Sequence, residues 1–111
     1  MSSEGPVGVI GAGSWGTTLA QLLADKGYAV DLWVFEADLC EIIQTSRENT
    51  FYLPGFRLHP NIRAHNSLQR VVEGHELLLM AVPSHVYRPV AAQMLPLLTR
   101  DTVIVSATKG I

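Results

Sequence analysis

The sequence predicts an α/β fold, a doubly wound, mostly parallel sheet with helices on both faces. Three observations carry that prediction. Short apolar, β-branched runs recur along the chain and alternate with stretches of helical period. The runs lack the polar alternation of a half-solvated strand, so both of their faces are expected to be covered. The first run also passes through a glycine-rich turn straight into an amphipathic stretch, "VGVIGAGSWGTTLAQLLADKG".

Val7 to Ile10 reads as a buried strand bounded by glycines. From Ser14 the period changes, and Trp15, Leu19, Leu22 and Leu23 form one helical stripe, expected as core. Lys26-Gly27 is a helix stop, with a cation in the last turn and then Gly at the C′ position. Val30 to Phe35 is a second strand, and Ala37 to about Arg47 a second helix with Leu39, Ile42 and Ile43 as its stripe. "NTFYLPGFRLHPN" is a long loop, because Pro54-Gly55 is turn chemistry and Pro60 excludes a helix there. Loops of that length in a compact domain are often functional. Ile62 to His65 reads as a short strand, and Ser67 to Val72 as a short helix capped by Ser67. Leu77 to Val82 is a continuous apolar run, a strand buried on both faces and ended by Pro83-Ser84. Val86 to Leu98 is a helix bent or restarted near Pro89 and Pro96, and Thr102 to Ala107 is the last strand. The alternation argues for right-handed crossovers.

Length and composition set the limits. At 111 residues the chain is one small domain, and at 48% hydrophobic with 16% charged it is a packed one. A net charge of −2 gives no electrostatic case for nucleic acid or an anionic membrane. No apolar run reaches the roughly 20 residues that span a bilayer, and "MSSEGP" lacks the features of a signal peptide. Cys40 is alone, so no intrachain disulfide forms and a reducing cytoplasm is the expected compartment. The chain breaks off at "SATKGI", straight after an apolar strand, and is expected to be part of a longer protein.

Three glycines stand where strand runs into helix: Gly11, Gly13 and Gly16. Glycine weakens both elements, so the backbone must need to be bare there. In the GxGxxG spacing the first glycine permits the tight turn, the second lets backbone approach a pyrophosphate, and the third lets helix pack on strand. The N–H groups and positive dipole end of the helix then face the anion. The alternative is a plain tight connection. A ribose partner belongs at the end of the second strand, where Glu36 stands; a carboxylate accepts from both ribose hydroxyls of NAD and repels a 2′-phosphate. A solvated strand-end acid, or a helix N-terminal one, is the other reading of Glu36. Phe35 suits the adenine face or the core. Asp31 stands at the wrong end of its strand and reads as a turn or surface acid, and His75 in "EGHE" as a turn residue.

Ligands of a doubly wound sheet meet the carboxyl ends of the strands. Ala81-Val82-Pro83-Ser84 and Ala107-Thr108-Lys109-Gly110 are two more such ends, and Lys109 is the strong base among them. Hydride transfer to a carbonyl needs a cation or acid at the oxygen, a role open to Lys109, which otherwise reads as a solvated turn lysine. The histidines His59, His65, His75 and His85 have no metal-ligand spacing, and only His85, at a strand end, invites attention.

Together "VIGAGSWGTTLA", "LWVFE", "ENTFYLPG", "AVPSHVYRPV" and "SATKGI" resemble the N-terminal half of NAD(P)-dependent sn-glycerol-3-phosphate dehydrogenases, in order and over nearly the whole chain. The resemblance implies an NAD(P)-binding Rossmann-like domain over residues 1–111. A helical substrate domain that carries a second catalytic lysine would lie elsewhere. It implies an oxidoreductase that interconverts glycerol 3-phosphate and dihydroxyacetone phosphate for phospholipid synthesis. By resemblance Ser14 and Trp15 join the glycines in the dinucleotide loop, Val82 and Pro83 lie near the nicotinamide ribose, and Lys109 is the family's catalytic "KG" lysine. Many bacterial members carry an arginine after the tryptophan of the second strand, suited to a 2′-phosphate. "LWVFEAD" has Phe35 and Glu36 there, so NAD is the expected cofactor and NADP the alternative. No nucleic-acid or membrane partner is expected, and the full-length protein is expected as a homodimer. Two other readings remain: the cofactor domain of another dehydrogenase of this broad group, acting on a hydroxy acid or sugar nucleotide, and an NAD(H)-sensing module without chemistry.

Overall fold

The computed structural model describes residues 5–107. Five strands, β1 (Val7–Ile10), β2 (Val30–Trp33), β3 (Ile62–His65), β4 (Leu77–Met80) and β5 (Val103–Ser106), alternate with four helices, α1 (Ser14–Asp25), α2 (Ala37–Ser46), α3 (Leu68–Glu73) and α4 (Tyr87–Met94). The strands pair in parallel in the order β3-β2-β1-β4-β5, a Rossmann-like doubly wound sheet. The chain winds outward from β1 to β3, then returns to β4 on the other side of β1. The order therefore reverses between β1 and β4, and a crevice opens there at the carboxyl ends.

Strand alternation divides the interior into two cores. Val7, Val9, Val30, Leu32, Ile62 and Ala64 meet Ala20, Ala24, Leu39 and Ile43 of α1 and α2 on one face. Ile10, Trp33, Leu78 and Met80 meet Val71, Val72, Val90 and Met94 of α3 and α4 on the other. Strands of four residues have little stability of their own. Burial of each large aliphatic side chain is worth about 1.5–3 kcal/mol, and this fixes them.

The structure corrects the expected stripe of α1. Its buried residues are Gly16, Thr17, Ala20 and Ala24, while Leu22 is 52% and Trp15 37% exposed. Leu19 and Leu23 pack only at the margin of the core. The cause is the closeness of α1 to the glycine turn: a Cβ on Gly16 would stand 2.0 Å from the Gly11 carbonyl oxygen, so the inward face of the helix admits only small residues. The helix expected over 86–98 is three pieces: a 3-10 turn at Ser84–Val86, then α4, then a second 3-10 turn at Leu95–Leu97. Pro89 is tolerated in the first turn of α4, where an N–H has no intrahelical acceptor, whereas Pro96 ends the helix. The expectation that both faces of every strand are covered fails at β5: Val103, Ile104 and Val105 are exposed on this outer strand.

Asp31 and His75 are also corrected. Asp31 Oδ1 lies 2.6 Å from His65 Nε2 and its Oδ2 lies 2.8 Å from His75 Nε2, with the His75 side chain only 5% exposed. Gly8 of β1 stands opposite Asp31 in register, and a Cβ there would stand 2.6 Å from Leu78 Cδ2 and 3.1 Å from Val71 Cγ1, with His75 Cγ at 3.4 Å, so side chains of the second core close over the bare strand position. The other ring nitrogen of His75 lies 2.8 Å from the Val71 carbonyl oxygen. Cys40 is buried in α2, and burial pushes its thiol up from the ordinary cysteine value.

Candidate functional site

A cleft of about 470 Å³ opens at the carboxyl ends of β1, β2 and β4, at the point where the strand order reverses. Its size falls in the ~300–1,000 Å³ range of small-molecule sites. Gly11, Ala12 and Gly13 form its floor after β1, Phe35 and Glu36 one wall after β2, and Val82 and Pro83 the opposite wall after β4. Trp33, Tyr52, His85, Val86 and residues of α4 complete it. A smaller apolar hollow lies elsewhere, between the outer side of α1 and Leu53–Leu58, and touches no strand end.

The three glycines differ in physical cause. Gly11 has φ +119°, and a Cβ there would stand 3.0 Å from the Ala81 carbonyl and the Val82 nitrogen. Gly16 is sealed against Gly11. Gly13 has an ordinary extended backbone (φ −70°, ψ −173°), and a Cβ there would meet nothing within 4 Å. Neither strain nor packing calls for glycine at Gly13. The space that its missing side chain leaves belongs to the cleft. Gly13 is also the N-cap of α1, with no side-chain cap, and the first turn holds no acidic residue. The positive end of the helix therefore meets the cleft with no acidic side chain in its own first turn to offset it. This fits a phosphate-bearing ligand such as a dinucleotide.

The turn is braced from below by Asn49, which no sequence signal singled out. Asn49 is fully buried; its Nδ2 donates to the Ala12 carbonyl at 2.7 Å and to Thr17 Oγ1 at 2.8 Å, and its Oδ1 accepts from the Tyr52 N–H at 3.0 Å. Thr17 Oγ1 in turn donates to the Ala12 carbonyl at 3.2 Å. Arg47 anchors the same loop by donating to the carbonyls of His59 and Ile62, each at 2.7 Å. The long loop is thus tied to the sheet, and it delivers Tyr52 to the cleft rim.

Glu36 begins α2 as its N-cap, yet its carboxylate does not cap the helix. It accepts instead from the Tyr52 hydroxyl. That hydrogen bond, with burial and the negative charge of Glu36 behind it, holds the Tyr52 phenol above its ordinary value. Phe35 is 74% exposed and stands edge-on to Trp33, with ring centroids 6.0 Å apart, so it is not a core residue. Trp33 is fixed by its Nε1–H, which donates to the Asn66 carbonyl at 2.9 Å.

Ser14 and Trp15 lie apart from the cleft wall. Ser14 is exposed in the first turn of α1, and its carbonyl accepts from Thr18 Oγ1 at 2.7 Å. The indole of Trp15 turns away, its Nε1–H donating to the Ala107 carbonyl at the end of β5 at 2.5 Å. It ties the start of α1 to the strand end that leads to Lys109. Lys109 itself lies outside the described residues. His85 borders the cleft.

Residues 6–111 match the family described as NAD-dependent glycerol-3-phosphate dehydrogenase N-terminus. Among curated relatives, a glycerol-3-phosphate dehydrogenase (NAD(P)+) of Syntrophobacter fumaroxidans is 62% identical over 111 residues, all of this chain and 33% of the relative. One of Geobacter sulfurreducens is 50% identical over 95% of this chain and 31% of the relative. The crystal structure of glycerol-3-phosphate dehydrogenase from Coxiella burnetii superimposes with a TM-score of 0.91 at 38% identity, covering 97% of this chain and 33% of that one. The chain thus spans about a third of the length of the relatives it matches. With the sheet order, the glycine turn and the sequence match in agreement, the chain belongs to the family of NAD-dependent glycerol-3-phosphate dehydrogenase N-terminal domains.

Proposed function

We propose that the cleft is the NAD(H) site of an oxidoreductase, and that residues 1–111 form its dinucleotide-binding domain within a longer chain. The whole protein, on this reading, interconverts glycerol 3-phosphate and dihydroxyacetone phosphate, the reaction that the relatives' names imply and one that feeds phospholipid synthesis. The carrying observation is the unfilled space at Gly13, at the uncapped positive end of α1. The pyrophosphate would lie there, against backbone N–H groups. Glu36 would accept from the adenosine ribose hydroxyls, Phe35 would lie against the adenine, and Val82 and Pro83 would flank the nicotinamide ribose. Ser14 and Trp15 shape the turn from its helical side, Trp15 through its bond to Ala107.

The bound cofactor supplies or accepts the hydride. Negative charge gathers on the substrate oxygen as the carbonyl is reduced, and Lys109 is the proposed catalytic residue that stabilises this charge and delivers the proton. The substrate phosphate and a second lysine belong to the remaining part of the protein. The single cysteine suits a reducing cytoplasm, and no helix among the described residues is long and apolar enough to cross a membrane. A homodimer of the full-length protein is the proposed assembly, with no nucleic-acid partner.

Titration with NADH and with NADPH tests the reading, followed by energy transfer from tryptophan, since Trp33 lines the cleft. NADH is expected to bind more tightly. A folded sample that binds neither nucleotide contradicts the proposal.

A further inference from the structure

The acid at the end of β2 is not a lone carboxylate, and this bears on cofactor choice. Glu36 accepts from the hydroxyl of Tyr52, a residue carried by the long loop and separated from it in sequence by a whole helix. We propose that Tyr52 is a positioning residue: its hydroxyl fixes the Glu36 carboxylate at the rim of the cleft, so that the pair, rather than Glu36 alone, selects NADH over NADPH. The inference rests on the reading of the cleft as an NAD(H) site.

The geometry supports each link. Glu36 and Tyr52 both line the cleft, and Glu36 is half-buried there with no role in capping α2. A glutamate has three side-chain torsions, so an untethered Glu36 would sample many positions and could swing away from a 2′-phosphate. The Tyr52 hydroxyl occupies one carboxylate oxygen and leaves the other to accept from a ribose hydroxyl. A fixed negative charge cannot retreat, so a 2′-phosphate meets like charge at close range. A phenol is protonated at neutral pH and so a donor to the carboxylate, and the same hydrogen bond shifts it further up.

Tyr52 is itself held independently of Glu36. Its N–H donates to Asn49 Oδ1 at 3.0 Å, and Asn49 is anchored to the floor of the cleft through Ala12. Its ring stands edge-on to Phe51, with centroids 6.1 Å apart. Both of these contacts survive replacement by phenylalanine, which removes only the hydroxyl. Tyr52→Phe therefore leaves the loop in place and isolates the tether.

The experiment is a double-mutant cycle. The Kd values of NADH and NADPH are measured for the unaltered chain, Tyr52→Phe, Glu36→Gln and the double variant, each checked for an unchanged thermal midpoint. Loss of the tether frees Glu36 to sample other positions, so Tyr52→Phe is expected to weaken NADH about 5-fold and to strengthen NADPH about 2-fold or more, as the carboxylate can then retreat from the 2′-phosphate. In the Glu36→Gln background the same change should leave the NADH-to-NADPH ratio within about 2-fold, because the charge it positions is gone. A preference for NADH that survives Tyr52→Phe unchanged overturns the inference and leaves the NAD(H) site standing. So does an equal loss in both backgrounds, which would mean that Tyr52 acts without Glu36. An unaltered chain that favours NADPH also removes the inference while keeping the site. A folded chain that binds neither nucleotide removes the site and the inference together.

Discussion

The inner and outer sides of the glycine turn use the same residue type for opposite reasons. On the inner side, Gly11 and Gly16 are bare because backbone is already there: the Ala81–Val82 peptide lies 3.0 Å from one missing Cβ, and the Gly11 carbonyl oxygen 2.0 Å from the other. On the outer side, Gly13 is bare with nothing near it and with unstrained backbone. Folding explains the first two glycines completely and gives the third only the weak preference of an N-cap position, which Ser, Asp or Asn would meet as well. A residue that the fold does not require, at the mouth of a cleft and at the positive end of a helix, is where a ligand enters the argument.

Substitutions should separate the two sides, and the separation is read as stability. Gly16→Ala is expected to have the largest effect. Its Cβ must push α1 off β1, at a cost of about 3 kcal/mol or more, and the chain should lose its cooperative unfolding transition or a large part of its Tm. Gly11→Ala comes next, at about 2–3 kcal/mol, from positive φ combined with backbone contact. Asn49→Ala should cost about 2 kcal/mol, because it removes hydrogen bonds to Ala12 and Thr17 and leaves a void under the turn. Gly13→Val should cost least, about 1 kcal/mol or less, the penalty of a β-branched residue at the N-cap of α1. Cys40 offers a convenient readout for all four. Its thiol is buried and burial raises its pKa, so alkylation is slow in the folded chain and reports opening of the core. If Gly13→Val proves as destabilising as Gly11→Ala, the contrast between the two sides disappears.

Much of this arrangement was legible in the sequence, and the parts that were not share a cause. β1 and the start of α1 are announced by a change of period across three glycines, a local signal that needs no tertiary information. The inward face of α1 was misread because hydrophobicity pointed to Trp15, Leu19, Leu22 and Leu23, whereas closeness selects size. The usable signal was the four-residue spacing of the small residues Gly16, Ala20 and Ala24. Asp31 looked misplaced because its partners, His65 and His75, come from β3 and from the turn before β4, and reach it only once strand register is set. Asn49 and Tyr52 lie in a loop without periodicity. Their roles depend on contacts to Ala12, Thr17 and Glu36 that sequence distance hides.

The central claim is that the space at Gly13 belongs to a dinucleotide pyrophosphate. The most direct test is to compare Gly13→Val with the unaltered chain in an NADH titration, at a temperature where both are fully folded. A valine in that space removes two or more charge-assisted hydrogen bonds, each worth about 1.5–3 kcal/mol, so affinity should fall by about two orders of magnitude or more while Tm falls only by the small N-cap penalty. Unchanged NADH affinity in a folded Gly13→Val chain would contradict the account, since the cleft would then bind its ligand elsewhere or not through the glycine turn at all.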